Sequence, residues 1–592
     1  MMKLLPILLA IANLAGCASA PTRPTTVLRG DYQQTQAYAT ELIRYEMAKH
    51  AVPGLSIALV DDQRVVWAQG FGFADVARKL PASADTLYRV GSISKLLTNT
   101  AAMQLSDQGR INIDLPLQNY LPGFMPKTHQ PQAPITVRQL MTHHSGLTRD
   151  QLKGFQNPTP QPLHELEKDL SEEYLAYAPD QVFYYSNAGI SLVGRVVETQ
   201  SAMPFAQYMR QSVLMPMGMS QSSFDTGPSA SAQMSLGYRK RETVPEVPMR
   251  DVPAGGLNSS VKDLSRFMSM FFAEGASSGK KFLKPQTVAE MLRPQNTAVP
   301  LDSNFHVGLG WMLSTLGKST LQNAGPVAHH GGAIGMFRSA LYVLPHHKLG
   351  VVVLGNTNTA EGVVDRVATE TLKLALQAKA GVEQPTYQPS GWSQGALPAD
   401  TLLDLPGDYT TAFGLARVRA EGQRLKVDAL GKTFNLRQRT DGLLGIDYAL
   451  FGFIPVDLGP ISELGLVRRS VAGRDLLFAR VGAQDMLLGQ RIKPPLDLGA
   501  WRKRLGDYTI TNLGSDPKMA ERISLVEEHG YLMLELNMSD ARGTTQRIVV
   551  MPVSDTHAQI LGSLAQGGET VRVVMVDGVE QLTYSGYRAQ KM

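Results

Sequence analysis

The chain has 592 residues, 43% of them hydrophobic and 18% charged, which describes globular material too long for one core. A net charge of +5, with no basic stripe interleaved with aromatics, argues against a nucleic-acid partner. The single cysteine excludes an intramolecular disulfide.

Taken in chain order, the first element is MMKLLPILLAIANLAGCASA: a lysine, a short apolar run and a small-residue site ending at Cys17. The run is shorter than the roughly 20 residues a membrane-spanning helix needs, so residues 1–16 are expected to be a signal peptide. Leu14-Ala15-Gly16-Cys17 resembles the bacterial lipobox. Cys17 is then expected to be lipidated, giving an exported lipoprotein that faces the periplasm, on the outer membrane if the cell is Gram-negative. Each buried acyl methylene would contribute about 0.8 kcal/mol to that anchoring.

Residues 17–34 are Pro/Thr-rich and read as a tether, and 34–50 as a helix closed by Pro53-Gly54. LSIALVDDQRVVWAQGFG (55–72) alternates around a polar turn and predicts a hairpin. A helix-rich region follows to about 220. AHHGGAIGMFRSALYVLPHHKLGVVVLGN (328–356) predicts two long strands joined at Pro345-His346, and a helix ends the unit near 380. Residues 381–400 are Pro/Gly-rich and read as a linker. From 401 to 592 the chain is β-rich. LPGDYTT (405–411) and RLGDYTI (504–510) suggest either two repeats, about 401–495 and 496–592, or one barrel.

The chemistry starts at YRVGSISKLL (88–97), where Ser92 and Lys95 share one helix face. A serine hydroxyl is a poor nucleophile without a base in hydrogen-bond reach. A lysine can be that base only when burial or a nearby cation lowers its pKa from about 10.4. The spacing alone says little, since it recurs at Ser259/Lys262, Ser277/Lys280, Ser278/Lys281 and Ser515/Lys518. Only Ser92 stands between a strand-like segment and a long apolar-faced helix; Ser259 reads as a helix N-cap and the others as loops. Tyr185-Ser186-Asn187 supplies a phenol to relay a proton and an amide to hold a substrate amide. His330-Gly331-Gly332 enters a strand whose glycines admit close approach of a ligand. His144-Ser145-Gly146 spells the same H-x-G but ends a helix, and is set aside as a structural turn.

With ITVRQLMTHHSGL, FYYSNAGISLVGRVVE, PAGGLNSSVKDLSRF and HHGGAIGMFRS, these motifs make residues 35–380 resemble the serine β-lactamase and penicillin-binding family. The branch is that of class C β-lactamases, D-Ala-D-Ala carboxypeptidases, D-aminopeptidases and related esterases. The resemblance implies an α/β (α+β) fold: an antiparallel sheet flanked by helices, with an all-helical subdomain. It implies Ser92 as the acylated nucleophile, Lys95 as proton acceptor and Tyr185 as proton shuttle. Asn187, His330 and Gly332 would bind substrate, and the backbone N–H groups of Ser92 and Ala333 would form the oxyanion hole. His330 stands where β-lactamases usually carry lysine, and Gly331 replaces a hydroxyl residue, so weak or absent β-lactam turnover is expected; Arg338 is a candidate for the missing cation. The expected substrates are D-amino-acid peptides, peptidoglycan fragments or small acyl esters, with a non-catalytic cell-wall- or β-lactam-binding module as the alternative. The histidine pairs lack metallohydrolase spacing, so neither metal nor cofactor is expected.

Overall fold

The computed structural model describes residues 19–592 except positions 278, 316, 387, 389, 412–413, 451–453, 456–462, 519, 539–544 and 563–566. The expected signal peptide, Cys17 and Ser278 lie outside the described residues.

Six antiparallel strands form the central sheet in the order Ala328–Ile334, Phe337–Leu344, Leu349–Gly355, Gly54–Asp61, Arg64–Asp75 and Leu80–Pro81. Its inner strands are apolar on both faces. Leu55, Ile57 and Leu59 enter one core while Ala58 and Val60 enter the other; Val351 and Val353 alternate with Val352 and Leu354 in the same way. Period-two side chains sandwiched between two layers require continuous apolar runs, which is what GLSIALV and LGVVVLG provide. One core is closed by helices Gln33–His50 and Val363–Ala380. The other is closed by Val261–Phe272 and the helical subdomain, with Ser94–Asp107 at its centre. Residues 23–32, read as tether, run along the Val363–Ala380 helix: Gly30 N–H donates to Ala378 O at 2.9 Å, and Val27 and Tyr32 are buried.

Two local readings are corrected. The segment 328–355 contains three strands rather than two, because Gly335 takes φ +49° and folds Ala328–Ile334 back onto Phe337–Leu344. An apolar run that continues through its own turn hides the break from hydropathy. The cap of Val261–Phe272 is Ser260, whose Oγ accepts from Asp263 N–H at 3.1 Å; Ser259 belongs to the strand Leu257–Ser259.

The C-terminal region forms two closed eight-stranded barrels, spanning Gly407–Ile492 and Gly506–Lys591. Each GDYT stretch is the first strand of a barrel and also pairs with its last strand, closing it. The repeat does the same structural work twice. Tyr409 donates its hydroxyl to Leu405 O at 2.8 Å, and Tyr508 to Arg504 O at 2.6 Å. Gly407 and Gly506 take φ +156° and +135°, values that a side chain disfavours.

The second barrel docks on the helical subdomain beside the 149–157 loop. Arg572 pairs with Glu173 at 3.0 Å, Lys153 with Asp516 at 2.9 Å, and Ser585 Oγ accepts from Leu152 N–H at 2.8 Å. The first barrel packs beside it, with Leu476 and Phe478 against Val182 and Leu301, and Asn304 Oδ1 accepts from Asp485 N–H at 2.7 Å.

Candidate active site

Ser92 lies in a single tight turn, Gly91–Ile93, that runs directly into helix Ser94–Asp107. Gly91 has φ +55°, and a Cβ there would stand 2.7 Å from the Ala333 nitrogen. That closeness brings the nucleophile turn against the edge strand Ala328–Ile334 and sets the Ser92 and Ala333 backbones side by side. Gly332 is equally constrained, since a Cβ would fall 2.0 Å from Val90 O and 2.2 Å from Ser339 Oγ. Gly331 is open, its nearest neighbour being Ser339 O at 3.8 Å.

Lys95 is the second residue of that helix, one turn on from Ser92, and has no exposed surface. Its Nζ lies 3.0 Å from Ser92 Oγ and donates to Ala254 O at 2.8 Å. Burial drives its pKa down to about 7; Arg149 pushes the same way, while Asp150 and Asp251 oppose it. A neutral amine at that site keeps one N–H for Ala254 O and offers its lone pair to the Ser92 hydroxyl.

The Tyr-Ser-Asn stretch derives its geometry from a helix cap. Ser186 caps Asn187–Ser201 by accepting from Gly189 N–H at 2.8 Å and donates to Thr148 O at 2.6 Å. Tyr185, just before the cap, is extended into the cleft, and Asn187 is the first helical residue. The Tyr185 phenol lies beside Ser92 in the cleft, and burial raises its pKa, keeping it neutral. Lys95 Nζ and the Arg149 guanidinium lie over its ring, 4.9 and 5.5 Å from the centroid. Asn187 Nδ2 donates to Asp150 Oδ1 at 2.7 Å.

His330 comes within 6.3 Å of the Tyr185 ring, centroid to centroid. It is almost wholly buried, and burial followed by the Lys95 charge depresses its pKa to about 3. Its Nδ1 lies 2.6 Å from Gly331 O, so that nitrogen carries the proton; Nε2 has no protein partner. The third motif therefore presents a neutral imidazole. Arg338 lines the cleft but is engaged by Glu361 at 3.3 Å and by the carbonyls of Gly335 and Phe337. The cleft that these groups line holds about 410 Å³.

Ser92, Lys95, Tyr185, Asn187, His330, Gly332 and Ala333 thus meet in one place, although the chain separates them by up to 241 positions (333 minus 92). His144 does not join them. Its Nε2 meets Asp302 at 2.8 Å in a buried network that also takes Asn296 Nδ2. Its neighbour His143 does, stacking on Tyr185 at 4.4 Å and accepting Ser186 N–H on Nδ1 at 3.1 Å. Sequence reasoning passed over His143, Arg149 and Asp150, whose one visible sign was adjacency to the THHSGL turn. Glu569, in the second barrel, carried no sign: its carboxylate accepts from Arg149 N–H and from the Tyr184 hydroxyl, each at 2.8 Å.

This arrangement sets a buried amine against a serine at a helix start with a phenol opposite, the groups that an activated serine nucleophile requires. Residues 39–376, more than half of the chain, match the family model "Beta-lactamase", and the chain belongs to that family. Protein flp of Staphylococcus aureus strain MRSA252 is 25% identical over 335 residues, covering 55% of this chain and 64% of flp. The mouse mitochondrial serine beta-lactamase-like protein LACTB is 24% identical over 420 residues, covering 55% of this chain and 76% of LACTB. The chain therefore spans a little under two-thirds of the length of the flp proteins. Among solved structures, the octameric penicillin-binding protein homologue from Pyrococcus abyssi superposes with a TM-score of 0.50 at 23% identity, covering 77% of this chain and all of that one. SurE superposes with a TM-score of 0.56 at 22% identity, covering 77% of this chain and 99% of its own. These two share the fold.

Proposed function

We propose that the protein is a lipid-anchored, exported serine hydrolase that acts through an acyl-enzyme on amide bonds of D-amino-acid peptides or peptidoglycan-like fragments. The observation that carries the reading is the 3.0 Å contact between Ser92 Oγ and a fully buried Lys95 Nζ. Ser92 Oγ adds to the substrate carbonyl while its proton passes to the neutral Lys95 amine. The oxyanion that forms is met by the Ser92 and Ala333 N–H groups, a device that contributes about 3 kcal/mol per donor elsewhere. Tyr185, a neutral phenol between Ser92 and the cleft, gives its proton to the leaving amine and is reprotonated from Lys95. Water then adds to the ester along the same path in reverse, regenerating the serine hydroxyl and releasing the acid.

The D-amino-acid reading draws support from the fold relative SurE, which has been crystallised with D-Leu. The lipobox-like Cys17 supports export and anchoring. The neutral His330 and the absence of a hydroxyl at Gly331 argue for poor β-lactam turnover. The same open Gly331 wall favours a second reading, an esterase of small acyl esters.

The test is a panel of D- and L-aminoacyl, D-Ala-D-Ala and p-nitrophenyl ester substrates, with nitrocefin, run beside fluorophosphonate labelling. Turnover and labelling are expected in the wild type and absent from Ser92→Ala. A wild type that neither labels nor turns over any substrate is a binding module instead.

A further inference from the structure

The cleft holds a cation that the acyl-transfer chemistry does not use. Arg149 lines it, with 40% of its side chain exposed. Among the described residues its guanidinium has one ion-pair partner, Asp150 at 3.4 Å through Nε. Asp150 is itself shared with Asn187 Nδ2. The terminal nitrogens of Arg149, the pair that grips a carboxylate side-on, are left to the cleft. Arg338, by contrast, is committed to a carboxylate and two carbonyls, and His330 carries no charge.

The backbone behind Arg149 is fixed from both sides. Its carbonyl accepts from Asn187 N–H at 2.8 Å and Ala188 N–H at 3.2 Å, at the start of the helix that carries the second motif. Its N–H donates to Glu569 Oε1 at 2.8 Å. Glu569 is almost wholly buried and also accepts from the hydroxyls of Tyr184 at 2.8 Å and Tyr584 at 2.5 Å. Ser585, on the same barrel, donates to Asp150 O at 2.9 Å. A guanidinium held through Nε by Asp150 and over the Tyr185 ring, on an immobilised backbone and with no hydrogen-bond partner for its terminal nitrogens among the described residues, is a prearranged anion site.

We propose that Arg149 is the carboxylate-recognising subsite of the cleft, presented by Glu569 of the second barrel, and that the preferred substrate carries an anionic group close to the scissile bond. This rests on the hydrolase reading above, and it makes the C-terminal barrel a working part of the site. Arg149 touches substrate; Glu569 is a positioning residue.

The test uses the full chain and two isosteric substrate pairs. Mono-p-nitrophenyl glutarate against p-nitrophenyl valerate places the charge on the acyl side. Acetyl-D-Ala-D-Ala against its C-terminal amide places it on the leaving side. The wild type is expected to favour the anion in one pair, through KM. Arg149→Ala should lower that anionic-to-neutral ratio by about tenfold or more, the scale of one bidentate contact. Glu569→Ala should lower it too, and Glu569→Gln, which keeps an acceptor oxygen for Arg149 N–H, should restore it. The proposal is overturned by a wild type without charge preference in either pair, or by an unchanged ratio in Arg149→Ala. Equal ratios in Glu569→Ala and wild type overturn the barrel's part. Calorimetry with 3-carboxyphenylboronic and phenylboronic acids separates the two readings. Loss of the carboxyl preference in Arg149→Ala tracks the subsite, whereas a Ser92→Ala variant that binds both boronates like wild type sinks the hydrolase reading alone.

Discussion

Lys95 is costly to the fold in the protonation state its role excludes. Burial depresses its pKa to about 7, so the native state releases a proton that the unfolded chain holds until about 10.4. Between those values the unfolded state binds more protons, and stability gains from this group as pH rises; below about 7 the site must hold a buried charge. Two outcomes follow. First, kcat/KM should climb with pH along a single-proton limb centred near 7 and level off above it, with no alkaline fall through the ordinary tyrosine range, because Tyr185 is pushed upward by burial. A pH–rate profile with an acid limb near 4 would contradict this. Second, Lys95→Met should abolish turnover and raise the melting temperature, with the gain greatest at acid pH, as measured by calorimetry from pH 5 to 9. Trading stability for an activated group is common at catalytic sites.

At the scale of elements, what could be read was whatever leaves a period in the sequence. The doubly buried strands appear as apolar runs, the hairpin at 54–75 as alternation about a polar turn, and the capped helix at 187–201 as Ser-Asn before an apolar stripe. The turn at Gly335 was missed because Ile334 and Met336 keep hydropathy high through it. The choice between Ser259 and Ser260 is one position in a cap, where backbone geometry decides. The GDYT repeat lies between these cases: visible as a repeat, but silent on whether it makes one barrel or two. The structure explains why that tetrapeptide recurs, since each tyrosine ties the first strand to the turn before it. Tyr409→Phe and Tyr508→Phe should therefore each cost about 1 kcal/mol, the worth of one buried hydroxyl bond, by chemical denaturation. Lying in different barrels, the two costs should add in the double variant. A clear departure from additivity would mean that the two sites are energetically coupled across the barrels.

The molecule as a whole assembles its site from regions with no common sequence signature. The three motifs were legible because each is a compact chemical device, a serine with its amine, a phenol with its amide, and a glycine strand edge. What lies behind them was not. His143 works by stacking, and Glu569 reaches Arg149 from 420 positions away, where only the folded chain makes them neighbours. The same remoteness gives the interface a pH dependence that can be isolated. Burial raises the Glu569 pKa, with its three hydroxyl and amide donors opposing but not cancelling the effect. A carboxyl whose pKa is higher in the native state binds its proton there first. Its contribution to stability therefore falls as pH rises from the ordinary glutamate value, about 4.3, through the raised one. Glu569→Gln imitates the protonated form in size and lacks the charge. It should melt above wild type at pH 7.5, and the difference should shrink as pH falls toward the ordinary glutamate value. A difference that stays constant over this range would mean that the donors fully balance the buried charge, and a variant less stable than wild type at pH 7.5 would mean that the carboxylate itself holds the barrel to the catalytic domain.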